Sequence, residues 1–145
     1  MMSEKNSNNI KTPAKAGILG WPVTHSRSPL IHDYWLKTHS IDGSYEKLPA
    51  TSEDFERVVM GLVAAGYAGA NVTAPHKEAA FELADVADTN AARLRAANLL
   101  VFKGGDIHAA NTDGYGFLQS LRGGADEPEI DKSWSTNPVA LLGAG

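Results

Sequence analysis

The sequence predicts an α/β domain in three layers, with helices on both faces of a mixed, mainly parallel sheet. Three observations carry this. Short apolar runs alternate with stretches of helical spacing from residue 16 onward, loops rich in Gly, Pro, Ser and Asn separate them, and Lys103-Gly-Gly-Asp106 marks one tight hairpin. With 145 residues, 43% of them hydrophobic, the chain has enough apolar material for the core of one domain.

Residues 1–15 are rich in Ser, Asn and Lys, lack the apolar stretch of a secretory signal, and read as a disordered tail. Ala16-Gly-Ile-Leu-Gly20 is a buried strand ended by Gly20-Trp-Pro22. Ser28 before Pro29 has the form of an N-cap, and Leu30, Ile31, Tyr34 and Trp35 recur at helical spacing to about residue 40, which predicts that this face packs inward. A strand is expected over 43–48, a helix over 53–65, a strand over 69–72 and a helix from Pro75 to Leu83. A helix over 88–95 leads to a strand over 99–102, the hairpin, a strand over 107–110 and a helix over 114–121. The domain thus spans residues 16–122. Residues 123–137, polar and broken by Gly and Pro, read as a linker, and 138–145 open a new element.

A formal net charge of −4 offers no basic face for phosphates, and no apolar run approaches the roughly 18 to 20 residues of a membrane helix. Neither nucleic acid nor a membrane is expected as a partner. The absence of Cys excludes a disulfide scaffold, a thiol nucleophile and a zinc-thiolate centre, and fits a reducing cytoplasm. No metal site is expected.

The polar residues of interest follow strands: Ser26 and Ser28, Asn71 with Thr73 and Lys77, Asn98, and Asp113. Ser, Asn, Thr, Lys and Asp converging at strand ends could hydrogen-bond several hydroxyls of a small polyol and set a charge beside one of them. Ser26 and Ser28 precede a helix whose free N–H groups favour an anion such as a carboxylate; for Ser28 capping is the competing role, and the two can coexist. Lys77 lies in the first turn of a helix, where the dipole disfavours a cation, so a purely structural lysine is poorly placed; simple surface exposure is the alternative. Asp113 suits either a helix cap or catalysis. His25 reads as structural, because no partner stands at metal-ligand spacing, and His32 as surface or packing. Pro138-Val-Ala-Leu-Leu-Gly143-Ala144-Gly145 reads as a strand entering a glycine-rich turn, the opening of a dinucleotide fingerprint.

In order, Gly20-Trp-Pro-Val-Thr-His-Ser26-Arg-Ser28-Pro, Asn71-Val-Thr73-Ala-Pro-His-Lys77 and Asn111-Thr-Asp113-Gly-Tyr-Gly116 resemble the three signature blocks of the shikimate dehydrogenase family, over about residues 16–122. The resemblance implies an α/β substrate domain followed by a Rossmann domain, and an NADP-dependent, reversible reduction of 3-dehydroshikimate to shikimate on the way to aromatic amino acids. By the same resemblance Ser26 and Ser28 hold the carboxylate, Asn71, Thr73, Asn98 and Asp113 bind ring hydroxyls, and Lys77 with Asp113 forms the catalytic pair. Gly143, Ala144 and Gly145 begin the cofactor site, and a homodimer is compatible with the resemblance. Hydride delivery to a ketone builds an alkoxide that must be protonated as it forms, a task for a protonated Lys77. Oxidation of shikimate needs that lysine neutral, so this direction should gain rate as pH rises.

The chain departs from the family pattern at Arg95-Ala-Ala-Asn98-Leu99, where the family usually has a Gly before the Asn and a Thr after it. Rival readings are a quinate/shikimate dehydrogenase using NAD, and a non-catalytic module that binds a shikimate-like ligand. The resemblance also implies that the 145-residue chain lacks most of the cofactor half and has no dehydrogenase activity alone.

Overall fold

A computed structural model describes residues 12–121. They fall into two compact units that divide after Asn111. The first carries β1 (Ala14–Gly20), α1 (Ser28–Thr38), β2 (Gly43–Pro49), α2 (Phe55–Ala64), β3 (Gly69–Val72), α3 (Lys77–Leu83), β4 (Val86–Ala87), α4 (Thr89–Leu94), β5 (Leu99–Lys103) and β6 (Asp106–Ala110). Its strands form one sheet in the order β2-β1-β3-β5-β6-β4. The pairs β1–β2, β1–β3 and β4–β6 are parallel, while β3–β5 and β5–β6 are antiparallel. In the second unit, α5 (Asp113–Leu121) is the described element.

Strand alternation sorts the sheet into two faces. On one, Leu48, Leu19 and Val72 lie in register across β2, β1 and β3, and Ala70, Leu100 and Ala109 across β3, β5 and β6. These residues pack with Phe55, Val59 and Leu62 of α2, Ala80 of α3 and Ala91 of α4 to form the main core. On the other, Ile18 and Tyr45 form a smaller cluster with Val23 and Ala16, and α1 lies over it. Helices on both faces make three layers, as expected from the sequence.

Glycine is required where backbones approach most closely. A Cβ on Gly69 would stand 2.2 Å from the Leu100 carbonyl oxygen, which belongs to the neighbouring strand and cannot swing aside. Gly69→Ala should therefore destabilise the chain by about 2 kcal/mol through forced overpacking, lowering Tm by roughly 10 °C in thermal denaturation. At the β5–β6 hairpin, Gly104 and Gly105 both take positive φ, +67° and +97°, which the two-residue turn between Lys103 and Asp106 demands.

The structure differs from the sequence reading at several points. β1 starts at Ala14, inside the stretch read as a tail, because the Ala14 N–H donates to the Asp42 carbonyl at 3.0 Å and Ala14 pairs with Gly43. β4, two residues long, is too short to leave a periodic signal. The N-cap of α1 is Arg27, with no side-chain cap, and Ser28 is the first helical residue. The apolar residues of α1 do not pack inward: Leu30 is 70% exposed and Tyr34 67%, with Ile31 and Trp35 also exposed. Ser28, Pro29, His32 and Leu36, spaced for a second helical face, are the partly covered ones. α3 starts at Lys77 and not at Pro75, since residues 73–76 close as a turn, with the His76 N–H donating to the Thr73 carbonyl at 3.1 Å. Arg95 is the C-cap of α4 in the left-handed conformation, φ +50°, which explains why a glycine suits this position. Its guanidinium rests 5.8 Å from the centre of the Phe81 ring.

The linker over 123–137 and the glycine-rich turn at Gly143, Ala144 and Gly145 lie outside the described residues.

Candidate active site

Loops that leave the C-terminal ends of parallel strands form the natural mouth of such a sheet. Here β1 ends at Gly20 and β3 at Val72, side by side, so residues 21–27 and 73–76 emerge together. A Cβ on Gly20 would stand 2.4 Å from Thr73 Cγ2, so the glycine is what allows the two loops to touch. The Thr73 N–H donates to the Leu19 carbonyl at 2.9 Å, and the Trp21 N–H to the Ala74 carbonyl at 3.2 Å. Because β5 runs antiparallel to β3, its N-terminal end reaches the same mouth.

That arrangement brings Asn98 and Lys77 to the site through their backbones. The Asn98 carbonyl accepts from the Val72 N–H at 2.9 Å, and its N–H donates to the Ala110 carbonyl at 3.1 Å. The Lys77 carbonyl accepts from the Ala97 N–H at 2.8 Å. Asn111, buried, donates from Nδ2 to the Ala96 carbonyl at 2.8 Å and thereby closes the turn before Asn98. The start of α3 is anchored by its cap residue His76, which is 2% exposed, stacks on Phe55, and donates from Nε2 to the Ala50 carbonyl at 2.8 Å. Lys77 itself is half-buried.

The serines sit on the α1 side. The Ser28 N–H donates to Ser26 Oγ at 3.2 Å, and the two hydroxyl oxygens are also 3.2 Å apart. Lys47 of β2 donates from Nζ to the Thr24 carbonyl, tying the serine loop to the sheet. Tyr45, on the same strand, is 8% exposed, and its hydroxyl donates to Asn71 Oδ1 at 2.7 Å. The His32 ring, stacked on Tyr45, has its Nδ1 2.9 Å from the Ser28 carbonyl and so links the phenol to the serine loop. Ser26 with Ser28, and Tyr45 with Asn71, are thus two hydrogen-bonded pairs bridged by His32, and Thr73 follows the end of β3.

Burial pushes the Tyr45 phenol up from 10.0 to about 12, with the neighbouring Ser28 side chain opposing part of the rise. A raised value means that the fold favours the protonated phenol. Its contribution to stability is complete below about pH 10 and disappears as pH rises through about 12. Circular dichroism across this alkaline range should show Tyr45→Phe losing less stability than the parent chain.

Of the residues singled out from sequence, the first unit brings Ser26, Ser28, Asn71, Thr73, Lys77 and Asn98 to one edge of the sheet. Asp113 opens α5 in the second unit, whose first turn is closed by the Gly116 N–H donating to the Thr112 carbonyl at 2.9 Å. His25 is exposed in the serine loop. His32 has a packing role: its ring stacks on Tyr45 at 3.7 Å with 7° between planes, and its Nδ1 lies 2.9 Å from the Ser28 carbonyl. Sequence reasoning missed Tyr45. Its only local signal is strand alternation, whereas its reach to Asn71 depends on the order of three strands. Among the described residues, no group of three His, Cys, Asp or Glu could hold a metal ion, and no helix is long and apolar enough to cross a membrane.

Comparison with known proteins agrees with this geometry. Residues 18–100 match the family described as the shikimate dehydrogenase substrate binding domain. The shikimate dehydrogenase (NADP(+)) of Paracoccus denitrificans is 46% identical over 133 residues, covering 90% of this chain and 45% of the relative. That of Acidiphilium cryptum is 48% identical over 130 residues, again covering 90% of this chain and 45% of the relative. The chain therefore spans about half the length of the curated relatives it matches. Among solved structures, the Ael1 enzyme of Pseudomonas putida superposes with a TM-score of 0.75 at 37% identity, over 79% of this chain and 42% of that one. Shikimate 5-dehydrogenase of Thermus thermophilus, solved with NADP(H) and shikimate, gives 0.71 at 33% identity, over 75% of this chain and 41% of that one. With its α/β fold and the loops at this edge of the sheet inside the matched region, the chain belongs to the shikimate dehydrogenase substrate-binding domain family.

Proposed function

We propose that the chain supplies the substrate-binding and proton-transfer half of an NADP-dependent shikimate dehydrogenase, which reversibly reduces 3-dehydroshikimate to shikimate. The observation that carries this reading is the Ser26–Ser28 hydroxyl pair and the Tyr45–Asn71 pair, bridged by His32, with Thr73 just after β3 and Lys77 four residues beyond. Two hydroxyls at one end suit a carboxylate, and the amide and hydroxyl at the other suit ring hydroxyls. In this reading Ser26 and Ser28 hold the carboxylate, while Asn71, Thr73, Asn98 and Asp113 contact ring oxygens. Lys77 and Asp113 are the catalytic residues in this reading, and Lys77 protonates the ketone oxygen as the alkoxide forms and takes the proton back in the reverse direction. NADPH, when bound, supplies the hydride.

Residues 123–137 then serve as a linker and 138–145, with Gly143, Ala144 and Gly145, as the opening of the cofactor half. A cytoplasmic site of action, without nucleic acid or membrane and with a homodimer as a compatible assembly, accords with the net charge of −4 and the absence of Cys.

The test is a chimera in which residues 1–145 are joined to the C-terminal half of the Paracoccus denitrificans relative. It should reduce 3-dehydroshikimate with NADPH, with a higher kcat/KM than any it shows for quinate with NAD. A folded chimera that binds shikimate without turnover would favour the non-catalytic module, and a preference for quinate with NAD would move the chain to the quinate branch.

A further inference from the structure

We propose that Tyr45 is a positioning residue for this site, fixing the side-chain amide of Asn71 so that its Nδ2 donors face the ligand. The inference rests on the substrate reading given above.

An asparagine amide has an acceptor side and a donor side, and a half-turn about its last torsion exchanges them. Left to itself, Asn71 could present either to a ligand. The phenol settles the choice: its single proton goes to Asn71 Oδ1 at 2.7 Å, so the carbonyl is engaged and the NH₂ group is the part left to turn outward. Its own position is over-determined. Tyr45 lies opposite Ala16 in the β2–β1 register, and Ala16 opposite Gly69 of β3, so the phenol crosses β1 above a methyl group to reach the strand beyond. Ile18 and Val23 pack around it. The imidazole of His32 covers its face at 3.7 Å, and that ring is held in turn by the Ser28 carbonyl, 2.9 Å from Nδ1. Nearly all of the tyrosine is buried, at 8% exposure, which makes it a support for the ligand-binding groups.

The geometry also makes the two ends of the site depend differently on Tyr45. The phenol donates to Asn71, while the Ser26 and Ser28 hydroxyls pair with each other. Removing the phenol oxygen therefore frees Asn71 to rotate and leaves the serine pair in place. Loss of Tyr45 OH should weaken recognition of ring hydroxyls and leave carboxylate recognition intact.

The experiment compares Tyr45→Phe with the parent 145-residue chain, using shikimate and 1-cyclohexene-1-carboxylate, which keeps the ring and carboxylate but has no hydroxyls. Affinities are read from NMR titrations of both proteins. Shikimate affinity should fall about tenfold, as for one lost well-placed hydrogen bond, while that for the stripped acid holds within about twofold. In the ligand-free variant, the Asn71 side-chain amide signals should move and exchange faster with water, with the β1 backbone amides unchanged. Equal losses for both ligands, or unmoved Asn71 signals together with unchanged shikimate affinity, would overturn the proposal. If the parent chain binds the stripped acid but not shikimate, the substrate reading itself falls, and this inference with it.

Discussion

Replacing Lys77 with Ala in the catalytic chimera lowers kcat by about 10²-fold or more, the usual scale for a lost general acid. The effect on shikimate affinity is smaller. What makes this substitution informative is that the backbone at position 77 and the neighbouring His76 hold the start of the helix. The start of α3 is secured by the Lys77 backbone carbonyl, which accepts from the Ala97 N–H, and by His76, which bonds the Ala50 carbonyl and stacks on Phe55. Those contacts do not depend on the side chain at position 77. Lys77→Arg sharpens the point, because a guanidinium keeps the charge but does not give up its proton at any accessible pH. It should retain binding and still lose most of kcat. Measured by steady-state NADPH oxidation, near-normal turnover in Lys77→Ala removes Lys77 from the mechanism.

Asn71→Leu is the second large effect, and it acts on binding. The substitution keeps the branched shape but leaves both the Tyr45 phenol and a ring hydroxyl of the ligand without their partner. A site built to hydrogen-bond a hydroxyl loses heavily when the bond cannot form, so shikimate affinity should fall about 10²-fold. Because Tyr45 acts through Asn71, the effects should not add: the double variant Tyr45→Phe/Asn71→Leu binds shikimate no more weakly than Asn71→Leu alone. Calorimetry on the four proteins checks this. Additive losses would mean that the phenol contributes independently of the amide.

The parts of the fold written in local chemistry were legible in the sequence. The short run Gly-Ala-Asn-Val between two helical stretches places β3 at Gly69–Val72, and Gly104-Gly105 places the hairpin, since only glycine adopts both positive φ values without strain. The loops bearing Ser26 and Thr73 follow from the strand ends, whereas Asn71 sits within β3 and Lys77 opens α3. What was not legible depends on which face meets which. In α1, Leu30, Ile31, Tyr34 and Trp35 have the spacing of a buried stripe, yet the sheet is covered by Ser28, His32 and Leu36 one step around the helix. Periodicity reveals that a helix has faces, but not which of them a sheet will take. The stack of His32 on Tyr45, at 3.7 Å, and the phenol's bond to Asn71 decide that question here, and neither contact is local in sequence.

The same lesson holds for the site residues. Ser28 looked like a helix cap and is the first helical residue, with its hydroxyl beside Ser26 and Tyr45. Arg95 looked like a departure from a glycine pattern and is a left-handed helix end, a conformation that glycine adopts at less cost. In both cases the residue type was informative, but its role was set by backbone geometry that a motif does not specify.

The most direct test is an NMR titration of the isotopically labelled 145-residue chain with shikimate. Saturable shifts should centre on the backbone amides of Ser26, Ser28, Asn71, Thr73 and Lys77, with the Asn71 side-chain amide among the signals that move most. No saturable change up to millimolar shikimate would contradict the substrate reading. So would shifts confined to the open cavity around Asp33, Lys37 and Asp42 at the opposite end of β2.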